Sequence, residues 1–281
     1  MSSDTILRQQ MVDIGKRMYE RGLIVATDGN LSVRLAPERF LVTPSGMCKG
    51  TLSPQDLLVV DIGGRQMEGR GRPTSEIAMH LCAYRERPDV RAVIHAHPPF
   101  VVACTVAGLS LSRFSLPEAI YSLGTIPTVP YATPGTDAGA AVIAGAIREH
   151  DVLILPYHGS LTVGKDLEEA FQKLEQLEHV AKILVTARQV GEPLPLPRAE
   201  VARLFRLAGR KPSFAPGILS RKTEKTAAAP RVVRPFPSLL LGPFSLAGRC
   251  LRSFSLFSLE SAARVVKAEM KVVRECLQRL Q

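Results

Sequence analysis

Apolar positions at the start of the chain recur at three- and four-residue steps. Ile6, Leu7, Met11, Ile14 and Met18 lie between Asp4 and Arg21, and Gly22 follows them. That period matches one face of an α-helix and the glycine is a stop, so the spacing predicts an amphipathic helix over 4–21. Shorter apolar runs closed by turn residues come next, FLVTPSG at 40–46 and DLLVVDIGG at 56–64. The segment SEIAMHLCAYRER at 75–87 returns to a helical spacing and ends at Pro88. RAVIHAHPPF at 91–100 and DVLILPYHG at 151–159 are apolar at consecutive positions, as in strands buried on both faces. A long helix is predicted from Asp166 to Val190. Asp166 can cap it, Glu169 stands three residues on, and Gly191 with Pro193 ends it.

Strands mixed with helices of this length predict an α/β domain, helices packed on a central sheet. No internal repeat is visible. The character changes at Lys211, where Pro212, Pro216, Pro230, Pro235, Pro237 and Pro243 run through a Ser- and Arg-rich stretch. We place a main domain at 1–210. Residues 211–281 form a basic, Pro-rich linker followed by an amphipathic helix over 259–280, with no assigned partner.

Charge follows the same division. The chain of 281 residues has a formal net charge of +10, which invites a nucleic-acid reading. Yet residues 1–210 hold 23 Lys+Arg against 22 Asp+Glu, while 211–281 hold 13 against 4. The main domain is balanced, and no nucleic-acid partner is expected for it. Hydrophobic residues make up 46% and charged residues 22%, which excludes disorder of the whole chain. The five cysteines, Cys48, Cys82, Cys104, Cys250 and Cys276, show no paired spacing, against both a disulfide framework and a zinc ribbon. Asp4 and Arg8 interrupt any apolar signal core, so a cytoplasmic protein is expected.

His95 and His97 flank one alanine in a predicted strand, which projects both imidazoles from the same face. His158 closes the other buried run, with Gly159 after it to let the backbone turn close to an ion. Three imidazoles with one open position form the ligand set of a catalytic zinc, although nickel, cobalt or manganese fit the same donors. An H-x-H pair alone is more often two partly buried histidines. His80, His150 and His179 lack this context and are assigned to helix surfaces or ends.

Three loops carry small hydroxyl or amide residues: Gly29 and Asn30 in ATDGNLSVR, Ser45 and Gly46 in TPSG, Thr74 and Ser75 in PTSE. Each alone reads as a turn or cap, but together they suit a phosphate, bound by free backbone N–H groups and a helix dipole. Glu76, placed on the first helical turn, is either a capping charge or a general acid/base beside the metal.

The ordered motifs GNLSVR, TPSG, PTSEIAMH, AVIHAHP, PYATPGT and YHGSLTVG resemble the class II aldolase/adducin family over about residues 5–208, nearest to the L-fuculose-1-phosphate aldolase type. The resemblance implies a three-layer α/β/α sandwich around a mixed, largely antiparallel sheet, assembled as a homotetramer. It implies His95, His97 and His158 as metal ligands and Glu76 as the catalytic acid/base. Gly29, Asn30, Ser45, Gly46, Thr74 and Ser75 match the phosphate loops. The implied reaction is zinc-dependent cleavage of a ketose or deoxyketose 1-phosphate to dihydroxyacetone phosphate and an aldehyde, through a metal-stabilised enediolate. Alternatives in the same fold are a methylthioribulose-1-phosphate dehydratase, a pentulose-phosphate 4-epimerase, and an adducin-like module without catalysis. One departure stands out: family aldolases bring tyrosines to the metal, whereas Leu116 occupies the matching position here and no tyrosine follows Tyr157. Glu118 or Tyr121 are the candidates to replace them.

Overall fold

A computed structural model describes residues 3–112 and 115–210; the basic extension read at 211–281 lies outside the described residues. Seven strands form one sheet: β1 (Asn30–Ala36), β2 (Arg39–Val42), β3 (Leu58–Val60), β4 (Gln66–Glu68), β5 (Ala92–Ala96), β6 (Val152–Leu155) and β7 (Gly159–Gly164). Their order is β4-β3-β2-β1-β5-β7-β6. All six strand pairs are antiparallel, and an isolated bridge between Thr128 and Ile154 adds a parallel contact at the β6 edge. The helices are α1 (Ser3–Glu20), α2 (Ile77–Glu86), α3 (Pro99–Val106), α4 (Pro117–Ser122), α5 (Asp137–Ile147), α6 (Leu167–Val190) and α7 (Arg198–Leu207).

The two-residue alternation of the strands sorts their side chains into two cores. Leu31 and Val33 of β1 join Ala92, Ile94 and Ala96 of β5 in a cluster closed by Met11, Ile14 and Met18 of α1 and Phe171 and Leu174 of α6. On the other face Val42, Val60, Val93 and Leu161 pack under Leu81 and Tyr84 of α2 and Ile143 and Ile147 of α5. This is the three-layer α/β/α sandwich. A third cluster at the β6 edge joins Val152 and Ile154 to α3, α4 and α6, and α7 seals Ile120 of α4 with Val201 and Phe205.

Local signals set the element ends. The Asp166 carboxylate accepts from the Glu169 N–H at 2.8 Å, which satisfies an orphan donor of the α6 N-terminus, and the Glu169 carboxylate accepts from the Lys165 N–H at 2.9 Å, just before the cap. Gly22, at φ +67°, turns the chain after α1. No helix among the described residues is long and apolar enough to cross a membrane. His179 is exposed on α6 and His150 lies just past α5, as expected. His80 corrects the sequence reading: it is completely buried, because its face of α2 lies on the sheet and not in water.

Candidate metal centre

β5 is buried along its whole length between β1 and β7. Alternation turns Ala92, Ile94 and Ala96 toward α1 and α6, and so turns His95 toward α2. His97 comes directly after the strand, and its ring centroid lies 4.8 Å from that of His95. The hairpin from β6 to β7 brings His158 in from the neighbouring strands, 4.6 Å from His95 and 4.7 Å from His97. Tyr157 turns that hairpin at φ +61°. Gly159 has a different use from the one expected. A Cβ there would stand 2.2 Å from the Ala96 carbonyl oxygen and 2.9 Å from the His97 ring, so glycine lets β7 approach the histidine pair.

Glu76 sits at the N-cap of α2, one residue before the first turn, and makes no side-chain cap bond. Its carboxylate faces the histidines instead, 3.1 Å from His95 Nε2 and 3.5 Å from His158 Nε2. One ligand atom from each of Glu76, His95, His97 and His158 falls within a 4.8 Å cluster.

Hydrogen bonds behind the rings fix which nitrogens face inward. His95 Nδ1 donates to the Ser160 carbonyl at 2.9 Å, and His97 Nδ1 donates to the Asp28 carboxylate at 3.3 Å. Carbonyl and carboxylate oxygens accept only, so each Nε2 is left to offer its lone pair to the cluster. The two Nε2 atoms are 2.9 Å apart. Lone pairs at that distance repel unless one positive charge, a proton or a metal cation, lies among them. The donor set, three imidazoles and a carboxylate, therefore fits a divalent transition metal.

Charge states agree. Burial pushes the Glu76 carboxyl up, but its contact with the His95 ring, the hydrogen bond from the Asn30 amide and the nearby His158 outweigh it and hold the group well below the usual carboxylate range. Burial and the neighbouring His95 lower His158 to about 4, and the same two causes lower His97. Both are thus neutral ligands near pH 7.

The three loops read as anion sites lie side by side at this end of the sheet. Ser45 N–H donates to the Arg72 carbonyl at 2.9 Å, Thr74 N–H to the Thr43 carbonyl at 3.2 Å, and Leu31 N–H to Thr43 Oγ1 at 3.1 Å. Gly29, at φ +68°, backs onto β5, where a Cβ would meet the His95 carbonyl at 3.0 Å. Gly46, at φ +72°, and Ser45 are exposed, Thr74 is buried, and Ser75 shares a hollow with Glu76, His158, Pro130, Pro134 and Thr136. Asn30 does more than expected of a loop residue. Its side-chain amide donates to Glu76 at 2.9 Å, and its oxygen lies 2.5 Å from His80 Nε2. Leu116 packs against the apolar cluster under α3, while Glu118 and Tyr121 are exposed on α4 and none of the three lines the hollow.

Sequence reading missed Asp28, which backs His97, and Lys49, whose buried ammonium donates to the carbonyls of Thr27 (2.5 Å) and Met47 (2.9 Å) and so ties two of the loops together. The signal for Lys49 was weak, a single lysine in the turn after TPSG.

With this geometry in view, the profile of the Class II Aldolase and Adducin N-terminal domain matches residues 9–185. The chain belongs to the class II aldolase and adducin family. Among its relatives is the 3-oxo-tetronate 4-phosphate decarboxylase of Escherichia coli (strain K12), 34% identical over 63% of this chain and 85% of the relative. The L-fuculose phosphate aldolase of Methanococcus vannielii is 37% identical over 62% of this chain and 93% of the relative. Among solved structures, an L-fuculose 1-phosphate aldolase superposes with a TM-score of 0.67 at 33% identity, covering 74% of this chain and 97% of that one. These class II aldolase relatives thus include both aldolases and decarboxylases.

Proposed function

We propose that the chain is a divalent-metal-dependent carbon–carbon lyase that cleaves a ketose or deoxyketose 1-phosphate to dihydroxyacetone phosphate and an aldehyde, with zinc as the metal. The observation that carries this reading is the meeting of His95, His97 and His158 with a single carboxylate, Glu76, at the edge of a hollow open to a substrate. His95, His97 and His158 would hold the cation. When bound, it supplies Lewis-acid polarisation of a substrate carbonyl, worth several kcal/mol of charge stabilisation.

Glu76 is the group placed to move a proton at the carbon beside that carbonyl. It is ionised, mostly buried, and held by Asn30 on one oxygen. In synthesis the carboxylate takes a proton from the carbon that will carry the electron pair; in cleavage it takes up a proton from solvent and delivers it to that carbon. Gly29, Asn30, Ser45, Gly46, Thr74 and Ser75 are proposed to hold the phosphate at the sheet end, Ser45 and Thr74 through their hydroxyls because their backbone N–H groups are spent on the Arg72 and Thr43 carbonyls. We assign this chemistry to residues 1–210 and a homotetramer to the assembly.

A second reading is favoured by Leu116. An aldehyde leaves as an oxygen whose proton must be managed, and the position at which family aldolases carry a phenol is apolar here and packed away from Glu76. Carbon dioxide needs no such group. Decarboxylation of a 3-oxo acid phosphate leaves the same three-carbon carbanion, which Glu76 would protonate in the same way. Zinc-loaded protein incubated with L-fuculose 1-phosphate, a 5-deoxyketose 1-phosphate and 3-oxo-tetronate 4-phosphate separates the two. Dihydroxyacetone phosphate with an aldehyde supports the first and with carbon dioxide the second. None from any substrate overturns both.

A further inference from the structure

Behind Glu76 runs a row of buried polar side chains that the proposed reaction does not use. Glu76, His80 and Tyr84 follow at four-residue steps along α2, and Asn30 and Ser32 alternate on β1 opposite them. The contacts are continuous: Asn30 Nδ2 to Glu76 Oε2 at 2.9 Å, Asn30 Oδ1 to His80 Nε2 at 2.5 Å, His80 Nδ1 to Ser32 Oγ at 2.7 Å and Ser32 Oγ to the Tyr84 hydroxyl at 2.9 Å. The Val93 backbone N–H on β5 bonds the Tyr84 oxygen at the far end. Asn30, Ser32, His80 and Tyr84 are all buried.

Only one proton arrangement satisfies this row. The Glu76 carboxylate accepts only, so Asn30 turns its NH2 to Glu76 and its oxygen to His80. His80 must then donate from Nε2, which leaves Nδ1 to accept from Ser32, and Ser32 in turn accepts from Tyr84. Every donor points toward Glu76. The imidazole is kept neutral to suit: burial, then the nearby His95, lowers its pKa to about 3.

We propose that His80 is a positioning residue for Glu76, acting through Asn30 by locking the Asn30 amide in the one orientation that offers an N–H to the carboxylate. The proposal rests on the reading of Glu76 as the proton-moving group. His80 is no ligand, since both its nitrogens are engaged and it has no exposed surface. Nor does the row conduct protons, because the Asn30 amide N–H is too weakly acidic to be passed on. What the imidazole N–H prevents is a flip of Asn30, which would put its carbonyl against a carboxylate. With Glu76 Oε2 held this way, Oε1 is the oxygen that faces His158, a lining residue of the hollow. Buried polar groups are costly unless all are satisfied, and a complete row of this kind specifies a single geometry.

The test uses the full chain loaded with zinc and follows exchange of the dihydroxyacetone phosphate C3 proton in D2O by proton NMR. Wild type exchanges and Glu76→Gln does not. His80→Leu lowers the maximal exchange rate about 10- to 100-fold, the cost of a misplaced base, with KM and metal content unchanged. His80→Gln, which keeps a donor near Nε2, recovers to within about threefold. The double variant Asn30→Ala/His80→Leu is no slower than Asn30→Ala alone, because one residue acts through the other. Should His80→Leu not fold, His80→Asn replaces it, since its amide reaches Ser32 but not Asn30. Full-rate exchange in His80→Leu or His80→Asn, or additive losses in the double variant, would overturn the positioning role. No exchange in wild type, or unchanged exchange in Glu76→Gln, overturns the reading of Glu76 itself and the proposal with it.

Discussion

Two buried clusters of ionisable groups sit in this domain, and they are built on opposite plans. Around Asp151, Lys173 donates to Asp151 (3.0 Å), Glu169 (3.0 Å) and the Val163 carbonyl (2.9 Å). Arg87 bridges Asp151 (3.2 Å) and Asp89 (2.7 Å), and Arg210 lies 3.5 Å from Asp151. Three cations meet three carboxylates, and the lysine uses all three of its donors. Around Glu76, among the described residues, there is one carboxylate and a set of imidazole lone pairs, and no Lys or Arg forms an ion pair with them. The first cluster is complete and holds α6 to the β6–β7 edge. The second is left open to a cation. Compensation marks structure, and its absence marks a site.

The largest effect expected from breaking this contrast is on the open cluster. His95→Ala removes the central ligand and is expected to abolish metal retention and to lower lyase activity by at least about 10³-fold, the several kcal/mol a bound metal contributes. In chelator-treated protein the same change costs only the buried cavity and the orphaned Ser160 carbonyl, about 3 kcal/mol. Elemental analysis and calorimetry check both. Metal retained by the variant at the wild-type level would mean that the histidines are a structural cluster like the other one.

Lys173→Met is the converse. It leaves Asp151 and Glu169 short of a cation in a mostly buried place and is expected to cost about 3 kcal/mol in urea unfolding, the low end for breaking a buried pair. Metal content should not change. A loss below 0.5 kcal/mol, on the order of an exposed pair, would contradict the assignment of this cluster to stability.

These two clusters were unequally legible. His95 and His97 could be paired from strand alternation, and α6 could be bounded because its cap and stop are local. His158 could be read from its place at the end of the other buried run, and only the β6–β7 hairpin sets it beside the other two rings. Lys173 was not legible: it lies within the helix Leu167–Val190 as one more charged residue, and only the packing of α6 on β7 buries it. His80 failed for the same reason. Its four-residue spacing to Glu76 and Tyr84 marks a polar stripe, but whether a stripe faces water or a sheet is decided by a distant strand, here β1. The helix α5 (DAGAAVIAGAI) was passed over because alanine and glycine give little amphipathic contrast, and it forms where Ile143 and Ile147 find the α2 face.

Acid separates the clusters by pH. His80 (about 3), His158 (about 4) and His97 all have depressed values, so in metal-free protein the unfolded chain takes up protons below about pH 6.5 while the folded chain does not. The stability tied to these groups is complete above that pH and is lost as pH falls toward 3 to 4. For His80 alone the loss at pH 5 is about 2 kcal/mol. Asp151 is also held low, by its cations against burial, but its share is lost only as pH drops below the ordinary carboxylate range. Urea unfolding of chelated protein should therefore weaken between pH 7 and pH 5, and His80→Gln should remove part of that slope. A flat response over this interval would show that the open cluster is not held neutral.

The smallest effect concerns the edge of the open cluster. Asp28 accepts from His97 Nδ1 at 3.3 Å, long for a charge-assisted bond, and its side chain is 43% exposed. Behind a metal ligand, such a carboxylate raises the basicity of the ring and fixes its tautomer, and its removal typically weakens metal binding 10- to 100-fold. Length and exposure put Asp28 at the low end. Asp28→Asn keeps an acceptor for His97 but removes the charge, so about tenfold weaker zinc affinity is expected in competition with a chelator, with an unchanged thermal midpoint without metal. Unchanged affinity would mean that the hydrogen bond alone sets the tautomer. A loss beyond 100-fold would mean that Asp28 belongs to the cluster as fully as Glu76 does, and the cluster would then hold two carboxylates and be still further from compensation than the one around Asp151.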